Sequence, residues 1–387
     1  MIYFAEINKS SQDHVSFNQG IVEILKNNPY GCDLTFFCDS DYYREIVKEN
    51  DRNISHKRIR IVNGNWSVWA LKLLLDVVNL FYIFSLARKR KARFIFFSSI
   101  FPITYYFFGI IRRFYWNVDV IIALHGELHY IKNRRFSKNF VLGLGLRNFL
   151  SKVNDRNTYF IVLSAIIKYN LGKYLNNVGL RLFYIDHPFI FSEKKAERSD
   201  NRIRHELSLG IVGYSSLKKR SNLIFDLADN FVEEIKSGRL NLKIIGKLMP
   251  DLLPFVNDNV DILARRGPLS IESYQDEIRK LDYIVFFYDN DIYELSPSGV
   301  FLDAIEYEKP ILALRSDIVS FYFDKFGNIG FLTDDFESLV SRVRSLVEEF
   351  NACDYQVKLE NLRKAKEELS IINVSNHFWK EFSSFSV

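Results

Sequence analysis

Residues 288–311 (YDNDIYELSPSGVFLDAIEYEKPI) combine the residue types that build an anion site at the start of a helix. Ser296 is of a type that caps helices, and Pro297 suits the first helical position because its missing N–H costs nothing there. Gly299 has no side chain to keep a ligand off the backbone. The pattern predicts a helix over 297–307 whose first free N–H groups face an anion such as phosphate.

The same predicted helix has a carboxylate one turn further on. Asp303 is placed where it could accept hydrogen bonds from sugar hydroxyls, beside the amides of Ser298, Gly299 and Val300. The alternative interpretation is a well-capped core helix, since apolar residues recur at the spacing of a buried stripe. That stripe is Val300, Phe301, Ala304 and Ile305.

The block SGVFLDAIEYEKPIL, residues 298–312, resembles the nucleotide-sugar site of group 1 glycosyltransferases of the GT-B fold, which are family 4-like. The resemblance implies that the amides at its start hold the donor phosphates and that Asp303 binds the ribose. The family has two glutamates with seven residues between them, which would need an acid at position 295, but that residue is Leu295 here. The role toward the donor sugar therefore passes to Glu294 only through a shifted loop, which also contains Ser296.

A second segment, LGIVGYSSLKKR at residues 209–220, resembles the first strand and loop of the same domain. The resemblance places Gly213 at the turn and Lys218 or Lys219 beside the diphosphate, where a cation neutralises the departing group. A solvated basic run is the alternative, although cations at a helix start oppose the helix dipole. Lys247, after the next strand, is expected to contact the base or the phosphates.

The segment ALHGELHY, residues 123–130, follows an apolar strand and contains His125 and Glu127. It resembles the His-Gly that group 1 enzymes place near the donor sugar and its phosphate, so both residues are candidate catalytic groups. A histidine at a strand end is more often satisfied locally. His129 is interpreted as structural.

The loop after the first strand, NKSSQDHVSFN at residues 8–18, contains Asp13 and His14. In inverting GT-B enzymes a His or Asp from this loop is the general base that removes the acceptor proton, whereas retaining enzymes need none. His14 could equally bind acceptor with Asp13 or cap the helix that follows. The stereochemistry of transfer therefore stays open.

Neither a metal nor another cofactor is expected, because the resemblance gives the lysines and helix amides the task of a divalent ion. Asp289–Asp291 (DND) is an Asp-x-Asp near a strand end and is interpreted as loop structure. The three cysteines, Cys32, Cys38 and Cys353, have no zinc-ligand spacing, which fits a reducing cytoplasm. The first 14 residues lack the pattern of a signal peptide, so export is not expected.

Composition places the chain among globular proteins of about two domains. It has 387 residues, of which 48% are hydrophobic and 26% charged, which excludes disorder over most of its length. A net charge of +5 beside 52 basic and 47 acidic residues does not indicate a nucleic-acid partner. It permits a phosphorylated substrate or an anionic membrane.

Strands and helices alternate along both halves, which predicts an α/β protein with parallel sheets. The polar stretch at 192–205 (SEKKAERSDNRIRH) is interpreted as the connection. We predict an acceptor-binding Rossmann-like domain over 1–190, a nucleotide-sugar domain over 206–370, and a helix over 371–387 that packs back on the first domain. The GT-B arrangement implies two such domains facing a cleft.

Two apolar segments have the length of a membrane span. Residues 66–87 are interrupted by Lys72, Asp76 and Asn79, which favours a mostly buried helix, and residues 94–114 are broken by Pro102. Basic and aromatic residues cluster nearby, which suits docking on an anionic bilayer. These are Arg88, Lys89, Arg90, Lys91, Arg93, Arg112, Arg113, Phe114, Tyr115 and Trp116.

The sequence thus predicts a cytoplasmic, metal-independent glycosyltransferase, and its basic and aromatic cluster suits the inner face of the plasma membrane. It would move a sugar from a nucleotide diphosphate to a glycan or lipid-linked acceptor in bacterial O-antigen or capsule synthesis. Two alternatives stay open: a GT-B sugar-nucleotide epimerase and a two-lobed, non-catalytic binding protein.

Overall fold

Two parallel sheets organise the described part of the chain. The structure is a computed structural model that describes residues 1–10, 14–47, 53–62, 68–132, 137–175, 179–192, 206–266 and 269–385. Unit 1 comprises Met1–Ile190, Leu295–Pro297 and Leu369–Val387, and unit 2 comprises Phe191–Glu294 and Ser298–Glu368. Apart from Ser192, the predicted connection at 192–205 lies outside the described residues.

Unit 1 is built on strands whose apolar runs suit burial on both faces. The strands are β1 (Ile2–Glu6), β2 (Leu34–Cys38), β3 (Ile54–Arg58), β4 (Ile95–Ser99), β5 (Val120–Ala123), β6 (Thr158–Val162) and β7 (Arg181–Tyr184). They pair in parallel in the order β3-β2-β1-β4-β5-β6-β7. Chain order reverses between β1 and β4, which is where open α/β sheets bind ligands.

Helices cover both faces of this sheet. They are α1 (Val15–Lys26), α2 (Ser40–Ile46), α3 (Trp69–Arg90), α4 (Tyr105–Phe114), α5 (His129–Lys132), α6 (Lys138–Lys152) and α7 (Ala165–Gly172). On one face, Phe17 and Ile21 of α1 join the cluster around Phe4, Phe36 and Phe96. On the other face, Phe84 of α3 and Phe108 of α4 pack on Phe97, with ring centroids 5.9 and 5.7 Å away.

Unit 2 repeats the architecture on a smaller sheet. Its strands are β8 (Leu207–Val212), β9 (Leu240–Ile245), β10 (Asp261–Ile262), β11 (Tyr283–Phe286), β12 (Ile311–Leu314) and β13 (Gly330–Thr333). They pair in parallel in the order β10-β9-β8-β11-β12-β13. Its helices are α8 (Leu223–Asp229), α9 (Val232–Lys236), α10 (Ile271–Lys280), α11 (Asn290–Tyr293), α12 (Gly299–Glu306), α13 (Asp317–Phe326), α14 (Phe336–Glu348) and α15 (Ala352–Glu368).

The chain ends in unit 1 with α16 (Ile371–Ser384). Phe378, Trp379 and Phe382 are buried, and the Trp379 indole donates a hydrogen bond of 3.1 Å to the Ile24 carbonyl of α1. The Phe382 ring lies 5.3 Å from that of Phe94. Aromatic burial on this scale makes α16 part of the core of unit 1.

Several boundaries differ from those expected. The sequence predicts the third strand at residues 59–62, but β3 is ISHKR, a half-exposed edge strand with no apolar run to reveal it. It predicts one helix over 220–237, and this segment forms α8 and α9, separated at Asn230 and Phe231. Its composition is helical over 355–382, where α15 ends at Glu368 and α16 begins at Ile371, the predicted start of the last helix.

The expectation that the helix in residues 66–87 is mostly buried is wrong. α3 is long and apolar enough to span a membrane, and 39% of its most apolar window is buried. Its buried face includes Lys72, Asp76 and Asn79, while large apolar side chains face outward. Those outward residues are Leu71, Leu74, Val78, Phe81 and Tyr82.

Candidate active site

Two loops at the carboxyl edge of the unit 2 sheet pack backbone against backbone. Gly213 follows β8 with φ +82°, and Gly246 follows β9 with φ +130°, both in the region that favours glycine. A Cβ at Gly246 would collide with the Gly213 carbonyl. Ser215 N–H donates to the Lys247 carbonyl at 2.9 Å, which joins the loops further. The sequence thus fixes a tight backbone platform at the position predicted for Gly213.

The N-terminus of α12 is open beside this platform. A Cβ built on Gly299 would meet nothing within 4 Å, and a Cβ on Gly213 would lie 3.1 Å from Cγ2 of Val300. Within the described part of the chain, the amides of Gly299 and Val300 have no hydrogen-bond acceptor. Free N–H groups and the helix dipole make this end suited to an anion.

The predicted start of this helix needs correction. α12 begins at Gly299, so Ser298 rather than Ser296 occupies the N-cap position, and Pro297 lies outside the helix. The Ser298 hydroxyl caps no amide and instead lies 3.0 Å from the Tyr288 hydroxyl. Because a tyrosine engages the hydroxyl, the helix amides keep no protein cap.

Asp303 faces the same edge from the second turn of α12. The Tyr274 hydroxyl of α10 donates to Asp303 Oδ2 at 3.2 Å and lies 4.0 Å from a Cβ built on Gly213. Burial raises the pKa of Asp303 to about 7; the Tyr274 hydrogen bond opposes that shift and Glu306 adds to it. Burial and the neighbouring carboxylate also raise the pKa of Tyr274. Tyr274 is a site residue that the sequence did not reveal.

The two candidate lysines differ in placement. Lys218 is exposed, whereas Lys219 is half-buried and lines a small cavity of about 20 Å³ with Tyr288 and Val300. Burial lowers the pKa of Lys219. Lys247 is exposed and contributes its carbonyl to the platform. The structure therefore groups Lys219, and not Lys218, with the open amides of α12.

The remaining unit 2 candidates flank the short helix α11. Glu294 is buried at its C-terminal end, and Leu295 is fully buried. Asp289 accepts from the Asp291 amide at 3.0 Å and so caps α11. Among the described residues, no group of three or more His, Cys, Asp and Glu side chains could hold a metal ion.

In unit 1, three imidazoles meet at the carboxyl edge of the sheet. The His14 and His125 ring centroids are 4.5 Å apart, and His187, which follows β7, lies 5.6 Å from His125. Phe17 packs edge-on against His125 and His187. Burial is the main cause that lowers the pKa of His14 to about 3 and that of His187 to about 4. All three rings are therefore neutral at pH 7, since burial lowers the pKa of His125 as well.

His14 occupies the N-cap position of α1 with φ +61°, but its side chain caps no amide. Its Nδ1 and the Nε2 of His125 are buried without a hydrogen-bond partner in the described structure. Local capping therefore does not explain the His14 side chain. Asp13, the other candidate in this loop, lies outside the described residues.

Glu127 and His129 lie on the turn that follows His125. Glu127 is buried, and burial raises its pKa to about 7. Its Oε1 has no hydrogen-bond partner among the described residues. The His129 ring contacts the Gly126 carbonyl through Nδ1 and packs on Tyr130, as a structural residue does.

Glu6, at the end of β1, was not predicted as a site residue. A register shift between Ala5 and Glu6 places it opposite Ser99. Its fully buried carboxylate accepts hydrogen bonds from two amides of the following loop and from three side chains. The donors are the amides of Asn8 and Lys9 and the side chains of Asn18, Ser98 and Ser99. Glu6 thus fixes the loop that leads toward His14.

A cavity of about 410 Å³ lies at this edge, within the usual range of small-molecule sites, roughly 300–1,000 Å³. It is lined by residues that follow β1, β4 and β5 and by the first turns of α3. They include Asn8, Lys9, His14, Trp69, Lys72, Ser99, Phe101, Glu127 and Tyr130. The cavity lies entirely within unit 1.

Searches found no family model and no curated protein that matches this chain. Solved structures match it over nearly its whole length. A glycosyltransferase from Rickettsia africae is 12% identical with a TM-score of 0.65, covering 99% of this chain and 98% of that one. The lipopolysaccharide outer core galactosyltransferase WaaB is 14% identical with a TM-score of 0.62, covering 99% of each chain.

Anabaena HepE, solved in complex with UDP and glucose, is 14% identical with a TM-score of 0.64, covering 99% of this chain and all of that one. At such identities the likeness shows the fold. The chain therefore has the GT-B fold of two Rossmann-like units, which confirms the fold class predicted from its sequence.

Proposed function

We propose that the chain is a glycosyltransferase that moves a sugar from a nucleoside diphosphate to an acceptor hydroxyl. The observation that supports this most is the uncapped, open N-terminus of α12 beside Gly213 and Lys219. Amides and an ammonium group at one sheet edge are what a diphosphate needs. HepE, which shares the fold, was solved with UDP.

In the proposed donor site, the amides of Gly299 and Val300 and the Lys219 ammonium bind the diphosphate. Asp303, oriented by Tyr274, accepts hydrogen bonds from the ribose hydroxyls. These donors stabilise the negative charge that develops on the leaving diphosphate, so the proposed reaction needs no divalent ion. Glu294 would act toward the donor sugar from the end of α11.

In the proposed reaction, the acceptor oxygen attacks the anomeric carbon, and the bond from that carbon to the diphosphate oxygen breaks. The electron pair goes to the diphosphate. In an inverting route the hydroxyl proton goes to His14, whose Nδ1 has no hydrogen-bond partner among the described residues. In a retaining route it goes to the departing diphosphate. His125 and Glu127 are the other candidate catalytic groups of unit 1.

We further propose that unit 1 contacts an anionic membrane, at the cytoplasmic face, to reach a lipid-linked acceptor. The outward faces of α3 and α4 are apolar, and α3 ends in exposed basic residues. Such a surface fits a bilayer interface. The apolar residues include Leu74, Val78, Phe81, Ile110, Phe114 and Trp116, and the basic ones are Arg88, Lys89 and Arg90.

Arg112 is not part of this basic surface, contrary to the sequence expectation. It is buried and binds Asp155, Thr158 and two backbone carbonyls.

WaaB acts on the lipopolysaccharide outer core, as its name states. Synthesis of a bacterial O-antigen or capsule is the corresponding proposal for this chain.

Incubation with a panel of labelled nucleotide sugars, with and without bacterial membrane extract and in excess chelator, tests the proposal. We expect label to enter membrane lipid only when extract is present, and chelator to leave the rate unchanged. An epimerase would convert the sugar nucleotide without any acceptor. A binding protein would retain the nucleotide sugar unchanged, and either result would overturn the transferase.

A further inference from the structure

α3 of unit 1 buries polar side chains and exposes apolar ones, which is the opposite of the usual surface helix. Its charged residues Lys72 and Asp76 are 5% and 2% exposed, whereas Leu74 between them is 60% exposed. Surface helices bury their apolar face, and buried charges are costly unless they are well paired. The inward polar face therefore requires a specific reason.

The hydrogen bonds of Lys72 are incomplete. Its ammonium has three hydrogens to donate, and in the described structure its acceptor is Asp76 Oδ1 at 3.4 Å, with the Phe101 ring 5.1 Å away. Asp76 is held on its other side by the Thr104 hydroxyl, 2.8 Å from Oδ2. One long ion pair leaves a buried ammonium with donors for a further anion.

Those donors adjoin the 410 Å³ cavity, which Lys72 lines. Three aromatic residues share the lining, Trp69, Phe101 and Tyr130, and aromatic faces suit the apolar faces of a sugar ring. Lys9 adds a second cation to the wall. The cavity thus combines positive charge with flat apolar surfaces.

Besides Asp76, which is paired with Lys72, two carboxylates near the cavity would repel an anion. The repulsion from each of the two is reduced. Glu127 lines the wall, but burial raises its pKa to about 7, which reduces its negative charge near neutral pH. The negative charge of Glu6 is stabilised by the hydrogen bonds that its carboxylate accepts, including those from the Ser98 and Ser99 hydroxyls at 2.8 and 2.7 Å. The local balance leaves Lys72 as a buried cation at the cavity whose hydrogen-bond donors are not all used in the described structure.

We propose that this cavity binds an acidic sugar of the acceptor, whose carboxylate or phosphate oxygens bind the Lys72 ammonium. The inference rests on the proposed function, because it takes the cavity as the acceptor site. Asp76 and Thr104 orient the ammonium, and the aromatic residues hold the ring. The acceptor class is therefore a glycan with an anionic group on the sugar that enters unit 1.

Binding of three sugars to the full chain tests this, measured by ligand-observed NMR. The probes are glucuronic acid, glucose 6-phosphate and neutral glucose. We expect at least one acidic sugar to bind about tenfold more tightly than glucose, the ratio expected of one charge-assisted hydrogen bond. Binding of only glucuronic acid assigns the carboxylate, and binding of only glucose 6-phosphate assigns the phosphate. Equal affinity for all three overturns the proposal.

Variants localise the effect. Lys72→Met should abolish the preference for the acidic sugar, Lys72→Arg should retain part of it, and Lys168→Met, at an exposed position of α7, should leave it intact. A preference that survives in Lys72→Met overturns the assignment. If Lys72→Met does not fold, the proposal is still tested by the ratio of affinities for acidic and neutral sugar in the wild type and in Lys72→Arg.

Nucleotide binding separates this inference from the one on which it rests. If the chain binds UDP or another nucleoside diphosphate but binds acidic and neutral sugars equally, the acidic acceptor is rejected and the proposed transferase function is not. A chain that prefers acidic sugars but binds no nucleotide loses the transferase and keeps an acidic-sugar site.

Discussion

Among single residues, Asp303 shows how a binding group weakens the fold that positions it. Burial raises its folded pKa from the ordinary 3.8 to about 7. Below pH 4 the carboxyl is protonated whether or not the chain is folded. As the pH rises toward 7, only the unfolded chain releases the proton, so the stability present at low pH is lost across this window.

Asp303→Asn should therefore raise the melting temperature more at pH 8 than at pH 5, and should weaken nucleotide binding. An amide has no charge to desolvate, and it accepts ribose hydroxyls less strongly than a carboxylate. Thermal unfolding at both pH values measures the first effect. Asp324→Asn, at an exposed position of α13, is the control and should change neither property. Equal shifts at both pH values would contradict the buried carboxyl.

The two neighbouring lysines give a matched pair. Lys219 lines the cavity beside α12, and Lys218 is exposed. Lys219→Met should weaken binding of a nucleoside diphosphate by about 10- to 100-fold, since it removes a charged donor to phosphate. Lys218→Met should cost less than about threefold, as expected of a screened surface charge. If calorimetric titration shows a larger loss of affinity in Lys218→Met than in Lys219→Met, the diphosphate does not bind at this edge of the sheet.

His14→Asn tests the proposed base. Asparagine tolerates the left-handed backbone of this position, so the fold should persist. We expect the transfer rate to fall by about 10²- to 10⁴-fold in an inverting enzyme. A rate near that of wild type, with circular dichroism unchanged, would remove His14 as base and favour the retaining route.

Residue types and spacing singled out Gly299 and Asp303 as candidates, and the family resemblance added His14 and His125; their roles stay predictions. Neither revealed Tyr274, because its partner Asp303 is 29 residues away and on another helix. His187 and Glu6 escaped for the same reason: each meets the site through the order of strands in the sheet. Residues that are close in sequence can be recognised as one site from the sequence alone. Residues from distant segments can be assigned to a common site only once the strand order is known.

Among elements, α12 was predicted within two residues of its start, and the difference matters. Because Ser298 is the cap position and Gly299 is exposed, the free amides lie in open space. A serine hydroxyl can cap a helix or bond a neighbour, and only the placement of Tyr288 decides between the two.

Gly299→Val should keep the fold and lose the ligand. A Cβ there meets no atom within 4 Å, so the melting temperature should change little, while the branched side chain covers the amides. Nucleotide affinity should fall about tenfold or more. Gly172→Ala in α7, where a Cβ is equally unobstructed, is the control and should leave the affinity unchanged. Unchanged affinity in Gly299→Val would reject the anion site.

α3 was located from its composition, but its orientation was not predictable. Three polar residues in an apolar run can face water or the interior, and the partner residue Thr104 that favours the interior comes from a later segment. Leu74→Glu with Val78→Glu should lower binding to phosphatidylglycerol vesicles about tenfold or more. Ile271→Glu, at an exposed apolar position of unit 2, should not. If the α3 double variant and Ile271→Glu bind the vesicles equally well, the proposal that α3 contacts the membrane is contradicted.

At the scale of the whole molecule, the chain completes its first unit with its last helix. The alternation of strands and helices predicted two α/β units, because period and composition are local properties. The sequence predicts that the last helix packs on the first unit, but not its contacts, such as the hydrogen bond from Trp379 to Ile24, which are 355 residues apart.

Residues 1–190 alone should therefore not fold stably. Trp379→Ala in the full chain should cost about 3–5 kcal/mol of unfolding free energy, as expected for a large aromatic core residue. Denaturant titration of the variant and circular dichroism of the fragment measure the two effects. A cooperative unfolding transition for 1–190 without residues 369–385 would show that α16 is dispensable.

The central claim is that main-chain amides of α12 and Lys219 bind a diphosphate without a divalent ion. Calorimetric titration of the full chain in excess chelator with UDP, GDP, ADP and dTDP tests it most directly. We expect one of these to bind, and Gly299→Val to weaken that binding about tenfold or more. Binding of none of them, or the same affinity in Gly299→Val, would contradict the account.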